Sequence, residues 1–228
     1  EHMPPDARLH YAITDAGGIA PGAVQARAEV LYMVRASELD ERDDLVRRVD
    51  DIARGAALMT GTEVEISDRG GAANVIPNAP LCAAMHDVMF GLGPLDFTEA
   101  ERAFAREIRS TLDVAAGDRR DALFDDVFLT DGRGLTPLHE GLRAYDGRMS
   151  QGTGSTDVGD VSWVVPVVEC SVATWAAGTP SHSWQAVAQG RSAAAHRAMT
   201  RAAAIMAGTG MNVILDPGLR HAAAGDLV

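Results

Sequence analysis

The sequence predicts an α/β protein whose first part is a smaller α+β unit, and three observations carry that expectation. Two segments near the start alternate apolar and polar residues with the period of a half-buried strand. A long stretch after them repeats apolar residues at helical spacing. Much later, "WVVPVVECSVATWAAG" (163–178) is a mostly apolar run rich in β-branched residues, the pattern of strands buried on both faces of an α/β core.

Taken in order, "RLHYAIT" (8–14) sets Leu9, Tyr11 and Ile13 against Arg8, His10 and Ala12, so His10 falls on the face opposite the apolar residues. The turn signal "DAGGIAPG" follows, and "ARAEVLYMVR" (26–35) alternates in the same way, which predicts an antiparallel pair. Ser37 and Asp40 resemble a capping box. Leu45, Val49, Ile52, Ala53, Ala56 and Met59 then mark one helical face that ends at Gly61. "TEVEI" (62–66) reads as a further strand, and "SDRGGAANVIPNAP" (67–80) as a loop, which places a domain boundary near residue 77. The expected domains are therefore 1–77 and 78–228.

Beyond the boundary, "PLCAAMHDVMFGL" predicts a buried helix, and Thr98 with Glu101 a capping box that opens "EAERAFAREIRSTL". Residues 113–153 read as a long irregular connection. "SAAAHRAMTRAAAIMAG" (192–208) predicts an alanine-rich helix opened by Ser192 and closed by Gly208.

Composition narrows the class of function. With 228 residues, 46% of them hydrophobic, the chain is long enough to bury a real core. No run approaches the roughly 18 to 20 apolar residues of a membrane span, so a soluble, cytoplasmic protein is expected. Its 20 basic residues are dispersed among 32 acidic ones, for a net charge of -12, which repels phosphate backbones and anionic membranes; neither nucleic acid nor membrane is an expected partner. Cys82 and Cys170 lie in apolar segments and read as buried thiols, compatible with a reducing compartment. The opening "EHMPPDARLHY" has neither an initiator methionine nor a capped helix start, so the chain is expected to begin within a structural element.

Two loops bracket the apolar run. "GSTDVGDVSW" (154–163) gathers Ser155, Thr156, Asp157, Asp160 and Ser162 around two glycines just before it. Such a loop suits close approach to a ligand, and equally an Asx turn or a helix cap. "GTPSHSW" (178–184) follows the run and sets His182 between two serines. Imidazole is a common metal ligand and a general base near neutral pH, and a histidine here also suits a cap or an exposed surface. No HExxH, GxSxG or P-loop accompanies it. His86 and His196 fall on apolar helices and read as core or interface residues, while His139 and His221 lie in polar surroundings without a pattern.

Together, "RLHYAITDAGGIAPGAVQARAEVLYMVR", "GAALMTGTEVE", "VIPN", "GSTDVGDVSWVVP" and "GTPSHSW" resemble the aminoacylase and carboxypeptidase type metallo-amidohydrolases, in the branch that acts on aminobenzoyl-glutamate. In that family a catalytic domain binds two divalent metal ions, zinc or manganese, and a smaller inserted lid mediates dimerisation. The resemblance implies that residues 1–77 are most of a two-layer lid of antiparallel strands and helices, and that 78–228 are the C-terminal part of a mixed-sheet catalytic domain. It implies hydrolysis of an N-acyl or N-aroyl amino acid by a metal-activated water, and a homodimer formed through the lid.

The family's HxCGHD-like segment, Glu-Glu pair and further histidine, which supply most metal ligands and the general base, have no match in the sequence. The resemblance therefore implies an incomplete site and a chain inactive by itself, with a non-catalytic lid module or relic as the alternative. It makes His182 the last metal ligand. His10 becomes the lid histidine that reaches a partner's active site to stabilise the oxyanion. Arg35 is placed to meet a substrate carboxylate or to form a structural ion pair, and Ser155, Thr156 and Asp157 line the cleft. "APGAVQ" (20–25) departs from the family's usual "APNVVP" at Gly22 and Gln25, which bears on substrate affinity and specificity.

Overall fold

Alternation is realised where two strands find each other. β1 (Arg8–Asp15) and β2 (Glu29–Arg35) pair antiparallel, with Leu9 opposite Val34, Tyr11 opposite Tyr32 and Ile13 opposite Val30. These apolar residues share one face, where the Tyr11 and Tyr32 rings lie 6.0 Å apart. Arg8, His10 and Ala12 occupy the other face, opposite Arg35, Met33 and Leu31. A register irregularity at Thr14 ends the regular ladder, and the Thr14 hydroxyl donates to Glu29 Oε1 at 2.7 Å.

The computed structural model describes residues 3–112, 136–142, 145, 147, 154 and 156–227. Most of the connection expected over 113–153 thus lies outside the described residues, as does Ser155. The chain divides into two units, Glu1–Val75 with Ser155–Asp160, and Ile76–Gly154 with Val161–Val228. The described residues hold one two-stranded sheet and seven helices, so the mixed α/β class stands.

In the first unit, α1 (Leu39–Thr60) follows the strands and ends where Gly61 turns left-handed at φ 66°, as its spacing predicts. The start differs. Glu38, not Ser37, occupies the N-cap and makes no side-chain cap bond, and the hydroxyl of Ser37 is given to the Asp6 carboxylate. Of the apolar stripe only Leu45 is buried, while Ile52 and Met59 stay exposed. The strand expected over 62–66 is not formed: no segment among the described residues pairs with it, and periodicity without a partner leaves the backbone groups unladdered.

The second unit is built on helices. α2 (Ala79–Leu92) starts at Asn78, which is buried. Its carboxamide oxygen accepts from the Leu81 amide at 3.2 Å and its nitrogen donates to Ala223 O at 2.9 Å. α3 (Glu99–Arg109) carries the expected capping box between Thr98 and Glu101. α4 (Val158–Ser162) carries the chain from Asp160 of the first unit to Val161 of the second, and in the second unit α5 (Trp184–Gln189) is followed by the long α6 (Ala193–Leu215), capped by Ser192 as predicted, and α7 (Pro217–Gly225).

Gly208 does not end α6; the helix runs on to Leu215. A Cβ there would sit 2.7 Å from Val88 Cγ1, so this glycine serves close packing against α2 rather than a C-cap. Leu95, Phe97, Ala105, Ile108, Leu138, Ala176, Ala194 and Ala198 form the core. Arg197, on α6, donates to the buried Glu101 carboxylate at 3.1 and 3.3 Å and ties α6 to α3.

The apolar run 163–178 does not form strands. Among the described residues it has no sheet to enter, and Val164 is left 72% exposed. Its far end, at Val172, Ala173 and Ala176, packs on the helical core instead.

Candidate functional site

The strand register sets His10 and Arg35 on one face of the first unit's sheet. His10 is directly opposite Met33, and Arg35 is opposite Arg8, so the two are diagonal neighbours across the pair. His10 is exposed and Arg35 half-buried. An imidazole and a guanidinium on a common face are suited to an anionic or carbonyl-bearing group.

The glycine-bearing loop is organised by residues beyond those singled out for substrate. Thr156 Oγ1 accepts from the Val158 amide at 3.3 Å and contacts Asp157 Oδ1 at 3.5 Å, a turn-like arrangement that leaves the Asp157 carboxylate exposed. Within the first unit, Asp160 Oδ1 accepts from the Ala73 amide at 2.8 Å. Gly159 lies against that same residue, and a Cβ on it would meet the Ala73 carbonyl oxygen at 1.9 Å. Within the second unit, the buried Ser162 hydroxyl accepts from the Ile76 amide at 2.8 Å. Gly159 and Asp160 thus clamp the backbone at Ala73 in the first unit, and Ser162 holds that of Ile76 in the second.

His182, in the second unit, is exposed and has φ 60°, the one positive φ outside glycine among the described residues. The turn that carries it is tied on both sides. Ser183 caps α5 by accepting from the Ala186 amide at 3.2 Å, and its hydroxyl donates to Pro180 O at 2.6 Å. Thr179 donates its hydroxyl to Ala176 O at 2.7 Å. Gln189 stands behind both segments: its Oε1 accepts from the Ala176 amide at 2.6 Å, and its Nε2 donates to Thr179 Oγ1 and Gln185 O, each at 3.1 Å. Gln185 and Gln189 belong to no motif, and their one signal in the sequence is two amides four apart on one face of a short helix, a polar face that is turned inward.

The remaining candidates are ordinary. Cys82 and Cys170 are free thiols, only partly buried, and burial pushes both thiols up, so they stay protonated and poor nucleophiles. His86 is half-buried on α2 between the Phe90 and Tyr145 rings, and its Nε2 accepts from the Tyr145 amide at 3.0 Å. His196 and His221 are exposed. Among the described residues no group of three or more His, Cys, Asp or Glu is gathered to hold a metal ion. His182 offers one imidazole, and the described residues do not by themselves fit a two-metal centre.

Sequence comparison supplies what the geometry leaves open. The chain is 41% identical over 228 residues to a subunit of the p-aminobenzoyl-glutamate hydrolase of Escherichia coli strain K12, a match that covers 96% of this chain and 47% of that protein. It resembles the amidohydrolases and peptidases. Xaa-Arg dipeptidase of Mus musculus is 28% identical over 222 residues, covering 96% of this chain and 40% of the relative. The human Xaa-Arg dipeptidase is 37% identical over 87 residues. The chain spans about half the length, or less, of these curated relatives. No protein-family profile matches it. The relatives are hydrolases of amide bonds by name, which is the class that the motifs indicated. No helix among the described residues is long and apolar enough to cross a membrane.

Proposed function

We propose that this chain is part of a metal-dependent amidohydrolase of the cytoplasm that cleaves the amide bond of an N-acyl or N-aroyl amino acid, of the aminobenzoyl-glutamate kind. The observation that supports this most is the 41% identity to the Escherichia coli p-aminobenzoyl-glutamate hydrolase polypeptide along 96% of the chain. In this reading 1–77 is a lid that pairs two copies of the protein, and 78–228 belongs to the catalytic domain. That relative is by name one subunit of its enzyme, which makes a different partner chain the alternative to a homodimer.

Each side chain then has a task its chemistry permits. His182 contributes one neutral imidazole to a pair of zinc or manganese ions, whose chemistry is to acidify a bound water and polarise the amide carbonyl. The other ligands come from outside the described residues. His10, exposed on its face of the strand pair, donates to the oxygen of the tetrahedral intermediate. Arg35, on the same face, pairs with the carboxylate of the amino-acid product. Ser155, Thr156 and Asp157 provide hydroxyl and carboxylate partners for the polar substrate.

The test is hydrolysis of p-aminobenzoyl-glutamate with added Zn²⁺ or Mn²⁺, by these 228 residues and by a polypeptide of the relatives' length that contains them. The expected result is turnover only in the longer polypeptide, lost on His182→Ala. Turnover by the chain alone would overturn the assignment of an incomplete site. No turnover in either would favour a non-catalytic lid module, a reading motivated by "APGAVQ", where Gln25 donates to Ala20 O at 3.4 Å and lies over Gly17.

A further inference from the structure

His182 holds a conformation that its own side chain disfavours. At φ 60° the Cβ of an L-residue crowds the neighbouring carbonyl, and glycine is the residue that takes this region without cost. Gly178, four positions earlier in the same turn, is also left-handed, at φ 81°, and there the sequence supplies glycine. At 182 it supplies histidine. Something outside the residue must hold the backbone, since such a conformation persists only where its surroundings over-determine it.

The surroundings point to one side chain. Gln189 is 2% exposed and its carboxamide joins both limbs of the turn: Ala176 and Thr179 on the way in, Gln185 on the way out. All three bonds are made in the interior, where a lost partner leaves the others unsatisfied. Gln185 in turn donates to the carbonyl and hydroxyl oxygens of Thr111, both at 3.4 Å, which fixes α5 to the end of α3. The span between the limbs is therefore set from inside, and Pro180, Ser181, His182 and Ser183 must cross it.

We infer that Gln189 is a positioning residue: its buried carboxamide fixes the width of the 176–185 turn and so imposes the left-handed backbone that presents the His182 imidazole to solvent. Its purpose rests on the proposed role of His182 as a metal ligand, whereas its geometry does not. An imidazole held in one direction loses less freedom on meeting a cation than one on a free loop.

A mutant cycle separates positioning from mere contribution to stability. His182→Gly and His182→Ala both remove the imidazole, so the difference between them reports the backbone conformation alone. With Gln189 in place, the Gly variant is expected to have an unfolding equilibrium constant about five-fold smaller than the Ala variant, as measured by urea denaturation. In a Gln189→Met background, which keeps the length and removes all three bonds, that advantage should vanish or reverse, because a relaxed turn restores the ordinary preference for alanine. The same advantage in both backgrounds would overturn the inference, as would an Ala variant at least as stable as Gly in the presence of Gln189. If Gln189→Met does not fold, Thr179→Val takes its place under the same criterion.

A titration with Zn²⁺, followed on the imidazole resonances of His182 by NMR in a polypeptide of the relatives' length that contains these residues, checks the purpose. Gln189→Met should weaken the response at least several-fold relative to the unsubstituted chain, and an equal response in both would overturn positioning for a metal. No response in the unsubstituted longer polypeptide would remove the metal reading itself, leaving the cycle alone to decide on the turn.

Discussion

Replacing Gly159 by alanine tests the clamp on which the glycine-bearing loop depends. In a helix the change ordinarily stabilises, by about 1 kcal/mol, because alanine restricts the unfolded chain. Here the new Cβ would lie 1.9 Å from the Ala73 carbonyl oxygen and 2.8 Å from its carbon. To reach an ordinary contact of about 3.4 Å the Ala73 backbone must retreat by about 1.5 Å. The bond from the Ala73 amide to Asp160, 2.8 Å long, would then exceed 4 Å and cease to be one.

A hydrogen bond to a charged acceptor is worth about 1.5 to 3 kcal/mol, and this exposed one falls at the low end. The lost bond and the displaced segment outweigh the helical gain, for a net loss of about 1 kcal/mol. Asp160→Ala removes the same bond without crowding. The two changes together should therefore cost less than their sum, since the bond is lost only once. Amide hydrogen exchange at Ala73, with urea denaturation of the whole chain, reads both effects. Retained protection of Ala73 in Gly159→Ala, or a gain in stability of the full helical amount, would refute the reasoning.

Two further outcomes follow from the second unit. Burial alone would raise the Glu101 carboxyl, but hydrogen bonds from Thr98 and Arg197 outweigh it and hold it below the usual carboxylate range. The folded chain thus binds that proton less readily than the unfolded chain does. Its contribution is complete above the unfolded carboxylate pKa and lost as pH falls through the lowered one. Urea midpoints measured from neutral pH down to pH ~3 should fall less steeply for Glu101→Gln than for the unsubstituted chain. Gly208→Ala sets overpacking against Val88 Cγ1, which costs about 1 to 3 kcal/mol, against a helical gain of about 1 kcal/mol. Its sign should be neutral to destabilising alone and stabilising in a Val88→Ala background, read by thermal unfolding.

What the sequence discloses of this fold depends on whether an element needs a distant partner. The β1–β2 pair is legible because both strands and the turn between them are local, and the two alternations fix the register that puts His10 opposite Met33. The capping box at Thr98 is legible for the same reason: both of its bonds close within four residues. Ser37 fails the same test, since the helix takes Glu38 as its N-cap and Asp6, thirty-one positions away, takes the serine hydroxyl. The runs 62–66 and 163–178 carry the composition of strands, yet composition states a preference that a ladder must satisfy, and none is present among the described residues. Gly208 misleads in another way, since a glycine late in a helical pattern signals a C-cap or a close helix contact, and only the position of Val88 decides between them.

The candidate site divides along the same line. His182 could be found because "GTPSHSW" is a recognisable string, and Thr156 and Asp157 because glycines advertise their loop. The residues that hold these in place could not, since Gln189 and Ser162 look unremarkable until the backbone amides they serve are known. A motif records which side chains face a ligand; the buried polar groups behind it record the shape that side chain must be held in. A left-handed histidine in a turn braced by three hydrogen bonds of one buried carboxamide joins those two records. Substitutions at Gln189 and His182 should therefore interact, and a list of motif residues alone gives no reason to expect it.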